Sequence, residues 1–314
     1  MLKRIEVGGI CGGSYSSAQI GKDLIPRLKI MRETGSASPA LSGVSTGFPS
    51  LDGLIDGLHA GELIVVAGRP CMCEDNLVRQ IALHVAINLG IRVAYFSTEK
   101  SREVVLRNLI TLDARIGLHD LRRNSLSEEE WQRFTTSADR ICGAPIIIND
   151  ISADPGVLRK EVKKLCTHSM SRPGLIIFDK VPSGDDGRSA IGRKLSTFSK
   201  YLIEIARNNN VPVIALAGIS RGVEKRKCKS PMLKDVASID GIHWSADTVI
   251  TLVRDAIYDP DTEFPDFAQV SVLKSFYAPC DGGFQLECNQ RSGYLSEIPR
   301  IQVQNATTLE GNLE

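Results

Sequence analysis

Apolar runs and helical periodicities alternate along the middle of the chain. The run 63–67, Leu-Ile-Val-Val-Ala, is apolar at every position, which is typical of a strand buried on both faces of a parallel sheet. The stretch 77–89 then repeats apolar residues at helical spacing, 93–96 forms a second apolar strand, and 101–116 returns to the helical pattern. This order predicts a series of βα units.

The second half of the chain continues this alternation and then changes it. Ser127 is expected to cap a helix, with Glu130 at the position that completes a capping box. Further strands are predicted at 145–148, 175–178, 213–216 and 248–253, with helices near 155–168 and 188–208. The final strands, 268–274 and 284–288, flank a Gly-rich turn and are expected to be antiparallel. The predicted fold class is therefore α/β, a doubly wound, mainly parallel sheet with antiparallel C-terminal edge strands.

Composition divides the chain into three parts. Residues 1–43 are rich in Gly and Ser and form an arm, 44–298 form one α/β domain, and 299–314 form a polar tail that we expect to fray. The arm contains a predicted amphipathic helix at 23–32, with Pro26 in its first turn. The apolar face of this helix consists of Leu24, Ile25, Leu28 and Met31. It packs on its own domain or docks on a neighbouring subunit, and the sequence leaves both readings open.

Charge and composition exclude several classes of protein. With 38 basic and 37 acidic residues in 314, net charge favours no particular partner, so any nucleic-acid surface must be local. No apolar run approaches the ~20 residues of a membrane span, and residues 1–13 lack the apolar core of a signal peptide. We therefore expect a cytoplasmic protein with no membrane partner. The eight cysteines form no CxxC pair, and we interpret the closest two, Cys71 and Cys73, as reduced thiols.

The segment after the first predicted strand stands where a phosphate-binding loop is expected. That loop reads G-x-x-x-x-G-K-[ST], in which Lys contacts the β- and γ-phosphates and the hydroxyl contacts magnesium. Cys73, Glu74 and Asp75 occupy the last three positions. They change the local charge by about three units, and one misplaced charge at ~4 Å costs roughly 4 kcal/mol at an effective dielectric of ~20. The candidate loop consists of Gly68, Arg69, Pro70, Cys71, Met72, Cys73, Glu74 and Asp75.

Two readings of the acidic pair remain open. Glu74 and Asp75 lie in the first turn of the predicted 77–89 helix, where carboxylates offset the positive end of the helix dipole, as a bound phosphate normally does. Alternatively the loop has been rebuilt for a different ligand, or for a divalent cation held by Glu74, Asp75 and Asp179. The first reading makes the loop empty of nucleotide.

Seven motifs in sequence order resemble the C-terminal motor domain of DnaB-type replicative DNA helicases, a RecA-like fold. The resemblance covers about residues 44–294, and the large helical N-terminal domain of that family has no counterpart in this sequence. Only the helix at 23–32 lies where the interdomain linker of the family would be. The matching motifs are TGFPSLD at 46–52, GLHAGEL at 57–63, GRP at 68–70, AYFSTE at 94–99, NVPVIAL at 210–216, PMLKD at 231–235 and ADTVI at 246–250.

This resemblance implies roles for three residues. Glu99 matches the glutamate that polarises the attacking water, and Asp179 matches the acidic residue that holds magnesium through water. Both follow predicted strands, at the edge where open α/β sheets bind ligands. Lys274 matches a lysine that the family points into the active site of a neighbouring subunit. Because the loop lacks the expected residues, we interpret Glu99 and Asp179 as catalytic residues that have lost their role. No metal site is assigned unless Asp179 binds magnesium.

Further departures from the family pattern concern nucleotide chemistry. Gly218 stands where the family has a glutamine that senses the γ-phosphate, and Phe276 stands where it has an arginine finger. Such a finger supplies about 10³–10⁵ in rate. With the loop glycine, lysine and hydroxyl also absent, we expect no bound cofactor and no ATP turnover. The alternative is an active helicase with an atypical loop, which would use ATP and magnesium.

A basic cluster follows the predicted strand 213–216. In the family this segment forms a DNA-binding loop of the central channel, and dense positive charge is what phosphate contacts need. We therefore expect single-stranded DNA as a partner, with a solvated charged loop as the competing reading. The resemblance also implies a homo-oligomer, or a mixed ring with a full-length replicative helicase that receives Lys274. The cluster consists of Arg221, Lys225, Arg226, Lys227 and Lys229.

Overall fold

The computed structural model describes most of the chain as one α/β domain preceded by a separate helix. The described residues are 16–33, 41–151, 154–167, 172–181, 198–237, 242–276 and 282–298. The predicted tail at 299–314 lies outside them. None of the helices in these ranges is long and apolar enough to cross a membrane.

One sheet runs through the domain, in the order β10-β9-β8-β7-β1-β5-β4-β2-β3, with the short β6 paired to β5. Strands β1 to β5 and β7 pair in parallel, whereas β8, β9 and β10 follow as antiparallel strands at one edge. This confirms the predicted fold class. The strands are β1 Leu63–Gly68, β2 Val93–Ser97, β3 Ile146–Asp150, β4 Leu175–Asp179, β5 Val213–Ile219, β6 Val236–Ala237, β7 Thr248–Val253, β8 Phe267–Lys274, β9 Gly282–Cys288 and β10 Leu295–Glu297.

Nine α-helices occur in the described residues, and their capping follows the sequence. Ser127 accepts a hydrogen bond from the backbone N–H of Glu130, whose side chain accepts one from Ser127, so the predicted capping box is confirmed. Ser101 likewise caps its helix. Residues 182–197 lie outside the description, so the helix predicted near 188–208 is described only in its second half. The helices are α1 Ser17–Glu33, α2 Pro49–Ile55, α3 Glu74–Leu83, α4 Arg102–Asp113, α5 Leu118–Arg122, α6 Glu128–Cys142, α7 Pro155–Thr167, α8 Phe198–Asn209 and α9 Ile242–Ser245.

Strand β1 separates two apolar cores because its successive side chains point to opposite faces. Ile64 and Val66 join the core beneath α3, α4 and α6. Leu63, Val65 and Ala67 join the core beneath α7, α8 and α9. All six residues of β1 are buried, as expected for a central parallel strand covered on both faces. The centre of the sheet is therefore a rigid platform for the loops at its carboxyl edge.

Helix α1 is longer than the sequence pattern predicts. It begins at Ser17 rather than at residue 23, so Pro26 lies in the helix interior and not in its first turn. Ser16 and Gln19 explain the earlier start, because the Ser16 side chain accepts from the Gln19 N–H and the Gln19 side chain accepts from the Ser16 N–H. The apolar side chains Ile20, Leu24 and Ile25 are 52%, 48% and 54% exposed, respectively. These three side chains are not packed in the domain core.

Candidate functional site

Four parallel strands bring the candidate residues to one edge of the sheet. Strand β1 ends at Gly68, β2 at Ser97, β4 at Asp179 and β5 at Ile219. The register places Ser97 opposite Asp179, and Gly68 opposite Gly218. Because these are carboxyl ends of parallel strands, the loops that follow them share the crevice in which open α/β sheets bind ligands.

The loop between β1 and α3 has a backbone made for glycine at two positions that carry cysteine. Cys71 and Cys73 have φ angles of 71° and 68°, in the left-handed region that costs an L-residue roughly 1–2 kcal/mol. Cys73 is also the residue that precedes α3, and its side chain accepts no capping hydrogen bond from the helix. The loop therefore passes through two left-handed positions that glycine would adopt at lower cost.

Glu74 folds back over the start of the loop. A Cβ atom placed on Gly68 would lie 2.7 Å from the Glu74 Oε2 atom, so this carboxyl group fills the space that glycine leaves open. Burial raises the pKa of the Glu74 carboxyl to about 7, further aided by Asp75 and opposed by the backbone N–H of Glu74 itself. A carboxyl group thus stands at the N-terminus of α3, in the position predicted from the sequence.

Asp75 pairs with a cation on its own helix. The Arg79 guanidinium, whose side chain is 7% exposed, forms an ion pair with Asp75 one turn earlier and donates a 2.6 Å hydrogen bond to Asn76 Oδ1. Burial alone would lower the pKa of Arg79, but Asp75, Tyr95 and Asp179 raise it above the ordinary value. The charge of the partly exposed Asp75 is therefore balanced by a cation of the same helix.

Two lysines cross between the strand ends. The Lys100 ammonium, just after β2, lies 3.2 Å from Asp179 Oδ2 and 4.0 Å from Asp75 Oδ2. Asp179 is 3% exposed; burial raises the pKa of its carboxyl, while Lys100 and Arg79 oppose that shift. Lys180, just after β4, lies 3.4 Å from Glu99, and both of those side chains are about half exposed. Glu99 and Asp179, the two carboxylates singled out by the resemblance, thus each pair with a lysine that follows the neighbouring strand.

The remaining family positions lie apart from this network. A Cβ atom on Gly218 would meet nothing within 4 Å, so packing does not require glycine there. Lys274 donates to the carbonyl oxygens of Trp244, at 2.8 Å, and Ala246 near the end of α9. Phe276 is 77% exposed. The Lys274 ammonium is thus bonded within its own chain.

The structure divides the predicted basic cluster into two groups. Arg226 donates to Asp235 at 2.6 Å, and Lys229 donates to the Glu224 carbonyl and lies over the Tyr258 ring. The other three basic side chains are exposed, and no ion pair or hydrogen bond holds them among the described residues. They are Arg221, Lys225 and Lys227.

An ion pair joins the loop to the basic cluster. Arg69 Nε donates to Glu224 Oε1 at 2.8 Å, and Arg69 Nη1 donates to the Ile219 carbonyl at 3.2 Å. Glu224 lies in a short 3₁₀ helix, Arg221–Lys225, that the sequence pattern does not predict. The carboxylate that opposes the cluster in sequence is therefore directed to the loop, which leaves the three exposed cations free of it.

The sequence patterns do not single out three cations of the site, Arg79, Lys100 and Lys180. The Asp75–Arg79 pair has a sequence signal, because residues four apart on a helix are neighbours. Lys100 and Lys180 have none, since their partners come from the register between β2 and β4. No three His, Cys, Asp or Glu side chains among the described residues are grouped to hold a metal ion. The cation-binding reading of Glu74, Asp75 and Asp179 thus finds no support.

The raised pKa of Glu74 predicts a pH-dependent stability. The folded-state pKa of about 7 exceeds the usual value of about 4.3, so the folded state binds the proton more tightly. The free energy of unfolding of the wild type, relative to Glu74→Gln, should then fall by about 2 kcal/mol as pH rises from 5 to 8. Urea unfolding across this range measures it. The exposed Glu263→Gln variant should show a change of less than about 0.5 kcal/mol, and a similar profile for both variants would contradict the prediction.

Comparison with known proteins places this site in context. The model of the DnaB-like helicase C terminal domain matches residues 43–287. The replicative DNA helicase DnaC of Bacillus subtilis (strain 168) is 33% identical over 244 residues, which cover 76% of this chain and 53% of the relative. DnaB of Geobacillus stearothermophilus is 31% identical over 244 residues, with the same coverage of both chains. The chain spans about half the length of the curated relatives it matches.

Solved structures show the same fold. One solved ATPase domain superposes with a TM-score of 0.78 at 22% identity, covering 90% of this chain and 100% of that one. A DnaB-like replicative helicase, studied with its interactions with primase, gives a TM-score of 0.77 at 22% identity, covering 91% of this chain and 67% of that one.

Proposed function

This chain belongs to the family of DnaB-like helicase C-terminal domains, and from that premise we propose that it acts in DNA replication without binding or hydrolysing ATP. It would work through DNA contact or through assembly with other helicase chains. The observation that carries the proposal is that the carboxylates beside the loop form ion pairs with cations of the same chain. Asp75 is paired with Arg79, and Asp179 with Lys100, by side chains of the same chain.

The side chains at this edge do not fit a nucleotide bound with magnesium. Lys100 occupies the oxygens of Asp179 that a magnesium-bound water would need. The Glu74 carboxyl lies against Gly68, where the phosphates would approach the backbone, and Asp75 adds a second negative group. Displacing these pairs would leave buried charges without partners, at a cost of several kcal/mol, in addition to the repulsion of the phosphates.

Nucleotide binding is the direct test. In calorimetry with ATP or ATP-γ-S and magnesium present, we expect no heat and no thermal shift at millimolar nucleotide. A dissociation constant of about 1 mM corresponds to only about 4 kcal/mol of binding free energy, which the cost of displacing these ion pairs would consume. A full-length DnaB-type helicase with the complete loop pattern serves as the positive control. Binding at micromolar nucleotide would overturn the proposal and favour an active enzyme with an atypical loop. ATPase activity that disappears in Glu99→Gln would do the same.

Single-stranded DNA is the proposed partner of the exposed cations. Each phosphate contact to a single strand contributes about 0.7 to the slope of log K against log salt. Replacing Arg221, Lys225 and Lys227 together with Gln should therefore lower that slope by about 2 and weaken binding roughly 100-fold at 0.1 M salt. Fluorescence anisotropy with an oligo-dT strand, at salt concentrations from about 50 to about 200 mM, gives both the affinity and the slope.

A matched variant separates location from total charge. Lys160, Lys163 and Lys164 are exposed on α7, outside the basic cluster, and their replacement with Gln removes the same charge. This variant should keep the wild-type slope to within about 0.5. An equal loss in both variants would mean that DNA binding follows net charge rather than the position of Arg221, Lys225 and Lys227.

Assembly is the second route of action, and α1 favours it. Its exposed Ile20, Leu24 and Ile25 form an apolar surface that a neighbouring chain would cover, as the sequence reading of a docking helix requires. A mixed ring in which Lys274 serves the partner's site has less support, because its ammonium would first have to leave the carbonyl oxygens of Trp244 and Ala246. Co-purification with a full-length helicase at micromolar concentration tests assembly, and failure to co-purify would exclude the mixed ring.

A further inference from the structure

Two cysteines distant in sequence meet beneath the loop. The sulfur atoms of Cys73 and Cys288 lie 3.3 Å apart, although the residues are 215 positions apart. Cys73 immediately precedes α3, and Cys288 is the last residue of β9. Both thiols are free, and Cys73 and Cys288 are only 8% and 0% exposed. The partner of Cys73 is thus Cys288, not the sequence neighbour Cys71.

The surroundings favour a thiolate at this pair. A hydrogen bond from the Cys73 thiol lowers the pKa of Cys288 to about 7, against the effect of burial, and Arg254 adds to the lowering. The same contact raises the pKa of Cys73. The Arg254 guanidinium lies 3.8 Å from the Cys73 sulfur and is held nearby by its backbone N–H, which donates to the Met72 sulfur at 3.1 Å. A partly ionised sulfur in contact with a second thiol is the arrangement that oxidation to a disulfide requires.

We propose that Cys73 and Cys288 form a dithiol site that hydrogen peroxide oxidises to a disulfide. One sulfur of the pair attacks, as its thiolate, one oxygen of hydrogen peroxide; the O–O bond breaks, and the departing hydroxide takes up a proton to leave as water. The second thiol then attacks the sulfenic sulfur, and hydroxide leaves as water with the proton of that thiol. Two thiols lose two electrons, and one hydroperoxide gains them.

Burial selects the oxidant. With Cys288 covered and Cys73 nearly so, hydrogen peroxide reaches the sulfurs, whereas a bulky disulfide such as oxidised glutathione does not. Closure needs roughly 1 Å of further approach to reach the ~2.05 Å of an S–S bond. The bond would tie the loop that precedes α3 to β9. Because it closes a very long chain segment, the melting temperature should rise by about 5 °C or more.

The test is peptide mapping after peroxide treatment and blocking of free thiols. Trypsin leaves Cys71 on the peptide of Cys73 and Cys280 on the peptide of Cys288, so the mapping uses the variant Cys71→Ser/Cys280→Ser, which keeps one cysteine in each. We expect these peptides to be cross-linked after hydrogen peroxide, with the higher melting temperature, and both effects to be reversed by dithiothreitol. Oxidised glutathione at the same concentration should give neither effect. The unaltered chain should show the same rise in melting temperature.

Several results would overturn the proposal. One is sulfinic acid at either cysteine without a cross-link, and another is equal cross-linking by oxidised glutathione. Cys142→Ser, which removes an exposed thiol, should leave the stabilisation unchanged, whereas Cys73→Ser and Cys288→Ser should each abolish it. Persistence of the stabilisation in either of these last two variants would assign it to other thiols. The result does not depend on whether the chain binds ATP, so its failure leaves the proposed function untouched.

Discussion

Replacing Arg79 with methionine is expected to lower the free energy of unfolding by about 2 kcal/mol. Methionine keeps much of the buried volume but removes the cation that Asp75 pairs with and that faces Asp179. Asp179, which is 3% exposed, would keep only Lys100 near it, whereas Asp75, whose side chain is 36% exposed, would be partly screened by water. Equilibrium urea unfolding at pH 7 measures the change.

The control is a pair in solvent. Arg102 and Glu103 form an ion pair in which both side chains are about 70% exposed, and Arg102→Met should change stability by less than about 0.5 kcal/mol. The double variant Asp75→Asn/Arg79→Met should recover part of the loss, because it removes the isolated charge. If Arg79→Met lowers the free energy of unfolding no more than Arg102→Met does, the ion pairs around Asp75 and Asp179 do not stabilise the fold.

Replacing Phe178 with alanine is expected to cost about 3–5 kcal/mol of unfolding free energy. Phe178 is fully buried, stacks on Phe96 with ring centroids 5.1 Å apart, and meets the edge of Phe198 at 6.3 Å. The cavity would open in the core directly before Asp179, so the variant should also loosen the contact between Lys100 and Asp179. Urea unfolding gives the stability, and hydrogen exchange at the Asp179 amide reports the local effect.

A second aromatic residue supplies the comparison. Phe264 is 51% exposed and contacts Phe267 at the surface. Because its removal leaves little cavity, Phe264→Ala should cost less than about 1 kcal/mol. Equal costs for Phe178→Ala and Phe264→Ala would mean that the core relaxes around the missing ring.

Local patterns in the sequence predict the helices and strands well, but they do not predict which of these elements lie side by side. The capping box at Ser127 and the first-turn carboxylates of α3 follow from interactions within four residues, and the structure has both. The Pro at the start of α2 is an equally local signal, and attention to Pro49 would have found that helix. The early start of α1 was likewise encoded in Ser16 and Gln19.

The chemistry of the site depends on longer connections. Lys100 meets Asp179 only because β2 and β4 are adjacent, and Arg69 meets Glu224 across 155 positions. The acidic residues beside the loop are visible in the sequence, but the cations that pair with them across strands are not, because no local rule fixes which strands lie side by side. The meeting of Cys73 with Cys288 has the same origin.

The central position of β1 also affects how the chain folds during synthesis. This strand is apolar throughout, yet its neighbours are β5 and β7, and β7 begins about 180 residues after β1 ends. At a translation rate of about 5–20 residues per second, β1 would wait roughly 10–40 s for its second partner. Until then at least one edge of this apolar strand stays unpaired and open to aggregation. We therefore expect nascent chains truncated before β7 to bind chaperones, and chains that extend past it to release them.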